Sequence, residues 1–373
     1  MDGHGGNVYQ AEAEWGCQRE NLLDFSANIN PLGTPEILKG YLRERLERLG
    51  DYPDPDQRKL RASIARYLQT PEEGVIAGNG AAEIIYLVFR VLRPRRVLIV
   101  APTFSEYQPA AMATGAAVTY FTLDPADGFR VDLARLSAAL NGMDCLMLCN
   151  PNNPTATLLP LTQLRELAAL TQAAGAACIV DEAFIELTVG GNVNSLVPLL
   201  DEFPQLFLIR AFTKIFAIPG LRVGYGLGRP ELIAALRRAQ LPWSVNLLAD
   251  AVADFLPRAE DYLQRTQEWL HSELGWLARS LRMLPGLRVF EPRTNFILVE
   301  LCAGMTVAVL QQRLAARGVL IRAAANFQGL NERYFRVAVR DRASNRILLR
   351  WLGEILGAAN AVEAEGERFR CGD

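Results

Sequence analysis

The chain has 373 residues, half of them hydrophobic and 21% charged, with a formal net charge of -2. So long a chain exceeds what one core usually serves, and a large unit plus a smaller one is expected. The balanced charge leaves no basic excess for nucleic acid, the polar N-terminus is not a signal peptide, and no apolar run approaches the roughly 20 residues of a membrane span.

Residues 1–30 read as irregular around Gly3-His-Gly-Gly-Asn7 and Leu22-Leu-Asp-Phe-Ser-Ala-Asn-Ile-Asn-Pro31, with a short helical pattern between. Glycines around a histidine let backbone approach a ligand closely. Leucines at 38, 42, 46 and 49 mark the apolar face of a helix over 35–49, and a second helix follows from Gln57 to Leu68. From Gly74 short apolar runs alternate with helices. Strands are expected at 75–77, 97–100, 118–123, 145–149, 177–180, 207–209 and 223–227, with a helix over 161–174 among those between. Such alternation indicates an α/β sheet covered on both faces, with its ligand crevice at the carboxyl ends of the strands. A long helical region over 230–284 is interrupted at 241–246 and near Pro257. After it come strands at 287–290 and 295–301, a helix over 306–317, strands at 319–322 and 334–339, and a helix over 343–356. These last elements read as a compact α+β unit, and the charged tail 358–373 reads as frayed.

Six scattered cysteines, three of them in apolar strand-like runs, suit buried free thiols in a reduced, cytoplasmic chain. With only His4 and His271, a multi-histidine metal centre is impossible, and no metal is expected. Lysine is also scarce. Lys39, Lys59 and Lys214 are the only three, and Lys214 stands among Phe212, Ile215, Phe216 and Ile218. An amine in apolar surroundings loses charge and becomes able to add to an aldehyde; arginine cannot do this.

Other polar groups fall at strand ends. Gly78-Asn-Gly-Ala-Ala82 precedes a helix, an arrangement that binds phosphate through backbone N–H groups and the helix dipole. Asn150-Pro-Asn-Asn-Pro-Thr155 follows one strand, Asp181-Glu182 ends the next, and Arg222 lies eight residues past Lys214. A lysine for an aldehyde, a carboxylate for a pyridine nitrogen and a phosphate cradle together point to pyridoxal 5'-phosphate. The glycines at 224, 226 and 228 precede Pro230 and lack the downstream acid of a dinucleotide loop.

Asn150 to Thr155, Asp181-Glu-Ala-Phe184 and Thr213-Lys214 through Arg222 resemble, in order and spacing, the signatures of fold-type I aminotransferases. Within that group the chain resembles the histidinol-phosphate aminotransferase branch. More narrowly, it is similar to the family of L-threonine-O-3-phosphate decarboxylases of cobalamin biosynthesis, through His4 to Asn7, Asp24 to Gly33, Lys214 to Arg222, Leu241 to Asn246, and Arg322. This resemblance implies an α/β fold with a mostly parallel seven-stranded sheet between helices and a smaller α+β C-terminal domain. The expected division is an N-terminal substrate-site segment at 1–34, a large cofactor domain at 35–245 and a small domain with its linking helix at 246–357.

Carried over, the resemblance implies that Lys214 forms the internal aldimine and that Asp181 pairs with the pyridinium nitrogen. Asn153 would bond the phenolic oxygen, and Tyr107 would lie against the ring. Thr213, Arg222 and the amides of Gly80, Ala81 and Ala82 would hold the phosphate. Tyr52 would reach the phosphate of a neighbouring subunit, making a homodimer. His4, Gly5, Asn28, Asn153, Arg322 and Arg336 would bind a small phosphoamino acid. Three positions depart from the pattern: Ala211 replaces a Ser/Thr phosphate ligand, Phe184 replaces a tyrosine, and Ala156 replaces a glycine. The implied reaction is loss of CO2 from L-threonine O-3-phosphate to give (R)-1-amino-2-propanol O-2-phosphate. The alternatives are histidinol-phosphate transamination and decarboxylation of L-serine O-phosphate.

Overall fold

The computed structural model describes residues 5–15, 22–302 and 304–357; His4 and the tail 358–373 lie outside the described residues. Helix α1 (Val8–Trp15) and the two-residue strand β1 (Leu23–Asp24) precede α2 (Glu36–Leu46) and α3 (Arg58–Leu68). The alternating region runs β2 (Val75–Asn79), α4 (Gly80–Leu92), β3 (Arg96–Ala101), α5 (Tyr107–Met112), β4 (Ala117–Thr122) and α6 (Leu133–Ala139). It continues with β5 (Cys145–Cys149), α7 (Leu161–Ala173), β6 (Ala177–Asp181), β7 (Leu206–Ala211), the single turn α8 (Phe212–Ile215) and β8 (Val223–Gly228).

Strands β2 to β8 form one sheet in the order β2-β8-β7-β6-β5-β3-β4, and only β8 runs against the rest. Every residue of β5, β7 and β8 is buried, which explains why these strands read as unbroken apolar runs rather than alternating ones. The glycines of β8 serve close packing. A Cβ at Gly224 would stand 2.3 Å from the Ala81 backbone nitrogen, and one at Gly226 would stand 2.4 Å from Phe207.

Helices α9 (Pro230–Ala239), α10 (Asp250–Phe255) and α11 (Glu260–Arg282) follow. Val252 and Phe255 of α10 join the core containing Leu38 of α2 and Leu60 and Ile64 of α3. The remaining elements are β9 (Leu287–Val289), β10 (Phe296–Leu301), α12 (Val307–Ala315), β11 (Val319–Leu320), β12 (Arg322–Ala323), β13 (Tyr334–Ala338) and α13 (Arg342–Leu356). An antiparallel sheet, β12-β13-β10-β9, buries Ile297, Val299, Phe335 and Val337 against leucines of α11, α12 and α13.

The expected strand 319–322 divides at Ile321. Val319 and Leu320 pair in parallel with β1, and Arg322 and Ala323 pair with β13. This exchange of partners ties the N-terminal segment to the small sheet, reinforced by the Ala338 N–H donating to the Phe25 carbonyl at 2.8 Å. Two residues are too few to carry a period-two pattern, so β1 leaves no mark in the sequence. No helix among the described residues is long and apolar enough to cross a membrane.

Candidate active site

The carboxyl ends of β5, β6 and β7 face the N-terminus of α4 across a cavity of about 470 Å³. The loop after β5 supplies Asn153, the last residue of β6 is Asp181, and β7 runs into the turn bearing Lys214. Except for His4, Tyr52 and Gly80, every expected site residue lines this cavity. His4 is outside the described residues. Tyr52 is 82% exposed and tilted against Trp243, 5.2 Å between ring centroids, away from its own chain's cavity.

Lys214 has the electrostatics of a nucleophilic amine. Desolvation, reinforced by Arg336 and Arg222, lowers its pKa to about 8. Asp181 is shifted the opposite way: burial raises its pKa to about 6, against the stabilising hydrogen bonds it accepts. Those bonds come from the Tyr107 hydroxyl to Oδ2 at 2.8 Å and the Ala183 N–H to Oδ1 at 2.8 Å. Tyr107 is thus held at the cavity wall by Asp181, a contact the sequence did not suggest. Among the described residues none of the cavity's cations is paired with Asp181, and a protonated pyridine nitrogen would be such a partner. Behind it, Arg210 pairs with Glu186 at 2.7 Å and Glu182 at 3.8 Å, all buried, which couples the ends of β6 and β7.

The phosphate-type cradle is backbone and guanidinium. First-turn N–H groups of α4 have no carbonyl four residues back to donate to, and the helix dipole adds positive potential there. Gly80, at φ +79°, lies directly under Arg222: a Cβ would stand 2.3 Å from Arg222 Nη2. Arg222 itself holds the left-handed conformation, φ 57°, which a non-glycine residue adopts only under tertiary constraint. Thr213 is buried at the same end, and Ala211 lines the wall without a hydroxyl.

The same cavity carries the groups expected to bind substrate. Asn28 is 3% exposed, and neither its Oδ1 nor its Nδ2 has a partner. Arg336 donates to the Ser26 carbonyl at 2.7 Å and to Asn153 Oδ1, and its Nε has no partner. With Asn153 Oδ1 engaged, that amide's free polarity is a donor, which a phenolate oxygen requires. Desolvation and the nearby Arg322 lower the Arg336 pKa, so an anion is the partner this guanidinium lacks. Arg322 donates to the Ala323 carbonyl at 2.5 Å and to Asn326 Oδ1 at 2.7 Å, and lies 5.2 Å over the Phe327 ring. Gly5 presses against the same segment, where a Cβ would meet the Ser26 carbonyl oxygen at 2.0 Å.

Sequence reasoning missed Phe104, Cys149 and Phe327, which also line the cavity. Phe104 meets Tyr107 edge-on, with 5.6 Å between ring centroids. A phenylalanine closing the Ala-rich stretch after Arg322 was the available signal. Phe184, where a tyrosine is usual, packs edge-on against Phe296 and brings no hydroxyl to the site.

A half-buried lysine, a buried carboxylate, an anion cradle at a helix N-terminus and unpartnered polar atoms define the class: a fold-type I site for an aldehyde-bearing, phosphate-anchored pyridine cofactor. The chain belongs to the aminotransferase class I and II family, whose model matches residues 20–352, and its cofactor is pyridoxal 5'-phosphate. It is 39% identical over 354 residues to the threonine-phosphate decarboxylase of Salmonella typhimurium, covering 95% of this chain and 96% of that protein. Among solved structures it resembles the histidinol-phosphate aminotransferase of Clostridium acetobutylicum (32% identity, TM-score 0.85, 91% of this chain and 100% of that one). It also resembles the L-threonine-O-3-phosphate decarboxylase of Porphyromonas gingivalis (27% identity, TM-score 0.78, 89% of this chain and 99% of that one).

Proposed function

We propose that this chain decarboxylates L-threonine O-3-phosphate to (R)-1-amino-2-propanol O-2-phosphate, in the cytoplasm, for the aminopropanol arm of cobalamin. One structural observation supports a doubly anionic substrate above all. Arg322, Arg336 and the unpartnered amide of Asn28 line the same cavity as Lys214 and the Arg222 end of the phosphate cradle. A carboxylate and a phosphate on one small molecule would satisfy them together.

When bound, pyridoxal phosphate supplies an electrophilic aldehyde and an electron sink for the pair left on Cα when CO2 departs. Lys214, with its lowered pKa, offers a neutral amine to that aldehyde near neutral pH. Asp181 holds a proton at the pyridine nitrogen, while Tyr107 and Ala183 keep its carboxylate ionised there. Arg222, Thr213 and the N–H groups of Gly80, Ala81 and Ala82 hold the cofactor's phosphate. Asn28, Arg322 and Arg336 orient the substrate so that its Cα–carboxylate bond is the one that breaks, and Lys214 Nζ delivers the proton that takes the carboxylate's place. His4 and Gly5 complete the substrate end. Exposed Tyr52 supports a homodimer in which it reaches the partner's cofactor phosphate.

The test is CO2 release from O-phospho-L-threonine and O-phospho-L-serine, run beside amino transfer from histidinol phosphate to 2-oxoglutarate. Release from phosphothreonine without amino transfer supports the proposal. Amino transfer without gas supports the aminotransferase reading, which the Clostridium structure favours.

A further inference from the structure

Lys214 sits on a single helical turn, α8, and a lone turn is not stable by itself. Its last carbonyls also need donors from outside the turn. The Ala217 N–H reaches the Lys214 carbonyl only at 3.4 Å, and Asn30 adds donors from a distant part of the chain. Its backbone N–H donates to the Lys214 carbonyl at 3.2 Å, and its side-chain Nδ2 donates to the Ile215 carbonyl at 2.9 Å. The same Nδ2 reaches Thr266 Oγ1 of α11 at 2.8 Å, and Oδ1 accepts from the Leu32 N–H at 3.1 Å. Asn30 is 1% exposed, and all of these partners lie within the protein. Thr266 is held in turn, donating to the Tyr262 carbonyl at 2.9 Å.

Two residues before Asn30 stands Asn28, whose partnerless amide opens into the cavity. The backbone that presents the substrate-side amide is therefore the backbone that clamps the lysine turn. We propose that Asn30 is a positioning residue: it locks the Lys214 turn to the Asn28 segment and to α11, so that Lys214 Nζ is aimed at the cofactor aldehyde. This rests on the cofactor reading of the site but not on the identity of the amino-acid substrate. Asn30 touches no reacting atom. Its effect is exerted through the two carbonyls of the lysine turn.

The test needs pyridoxal phosphate alone. Apoprotein is mixed with it, and the rate at which the visible absorbance of the lysine-linked cofactor appears is measured at saturating cofactor, alongside thermal stability. Asn30→Ala is expected to slow this step at least tenfold, since small misplacements of a reacting group cost up to about a hundredfold. Thr266→Val, which leaves the Asn30–Ile215 bond in place, is expected to slow it by a smaller factor, and Thr266→Ser is expected to match wild type. A purely structural role would lower thermal stability in Asn30→Ala and leave the capture rate at the wild-type value, and that result overturns the proposal. Should Asn30→Ala fail to fold, Thr266→Val decides: a capture rate equal to wild type overturns the proposal, and a slower one supports it. If wild-type protein itself develops no visible absorbance, it is the cofactor reading of the site that fails.

Discussion

Asp181 is a buried carboxylate whose environment opposes its charge, and this makes its cost measurable. Its pKa stands at about 6 in the folded chain against 3.8 for the ordinary group. At about 1.4 kcal/mol per pKa unit, ionised Asp181 costs the apoprotein about 3 kcal/mol of folding stability. Asp181→Asn removes the charge without removing its partners. The amide oxygen continues to accept from the Ala183 N–H, and the amide nitrogen donates to the Tyr107 oxygen, each across the same 2.8 Å. Because the folded carboxyl keeps its proton to higher pH than the unfolded one, this stability is fully present below about pH 4 and is lost as pH rises through 6. The variant has no such loss. Urea unfolding of both apoproteins at one protein concentration is therefore expected to show Asp181→Asn gaining on wild type with pH. About half of the 3 kcal/mol gap is open by pH 5 and the rest by pH 7. The same variant loses cofactor absorbance and turnover at every pH, because no carboxylate remains for the ring nitrogen. A stability difference that is the same at pH 5 and pH 8, or a wild type that is the more stable at pH 8, would refute the assignment of Asp181 as a destabilised, desolvated anion.

Three further outcomes follow from the same geometry. Because the Lys214 pKa is lowered to about 8, the rate at which apoprotein captures pyridoxal phosphate is expected to rise with pH from 6.5 and level off above 8. Stopped-flow absorbance checks this, and a rate still climbing tenfold per unit at pH 9.5 would restore an ordinary lysine. Gly80→Ala places a Cβ 2.3 Å from Arg222 Nη2 at φ +79°, so cofactor retention on dialysis is expected to fall more than tenfold. The accompanying loss of stability should be about 1–2 kcal/mol for the left-handed alanine, with the Arg222 side chain displaced by the new methyl group. Ala211→Ser adds a hydroxyl to the cavity wall beside Thr213. A hydrogen bond to a charged group is worth about 1.5–3 kcal/mol, so cofactor is expected to be held at least tenfold more tightly, as measured by equilibrium fluorescence.

Which parts of this site were legible in the sequence follows from how far apart the interacting residues lie. Asp181 could be placed because it closes an apolar strand, and strand ends are where an α/β sheet collects its chemistry. Lys214 could be placed because it is one of three lysines and stands among Phe212, Ile215, Phe216 and Ile218 just past such a strand. The cradle at Gly78 to Ala82 was legible for the same reason: glycine, turn and helix are contiguous, so the mechanism is contained in the local pattern. The contacts that aim these groups have no such pattern. Asn30 reaches Ile215 across 185 residues and Thr266 across 236, and the Tyr107 hydroxyl reaches Asp181 across 74. An asparagine before a proline reads as an ordinary turn former, and nothing local distinguishes one that caps a distant lysine turn. Strand β1 was lost similarly, since its partner β11 lies at the far end of the chain and two residues hold no periodicity. Once β1 is paired, however, the otherwise unexplained Asp24 to Pro31 stretch has a physical reason for each polar residue. Asp24 Oδ1 accepts from the Ser26 N–H at 2.7 Å, Ser26 offers its carbonyl to Arg336, Asn28 opens into the cavity and Asn30 holds the lysine turn. The segment from Asp24 to Asn30, a short strand followed by a bend at Ser26 and Ala27, thus links the substrate end and the cofactor end of one site.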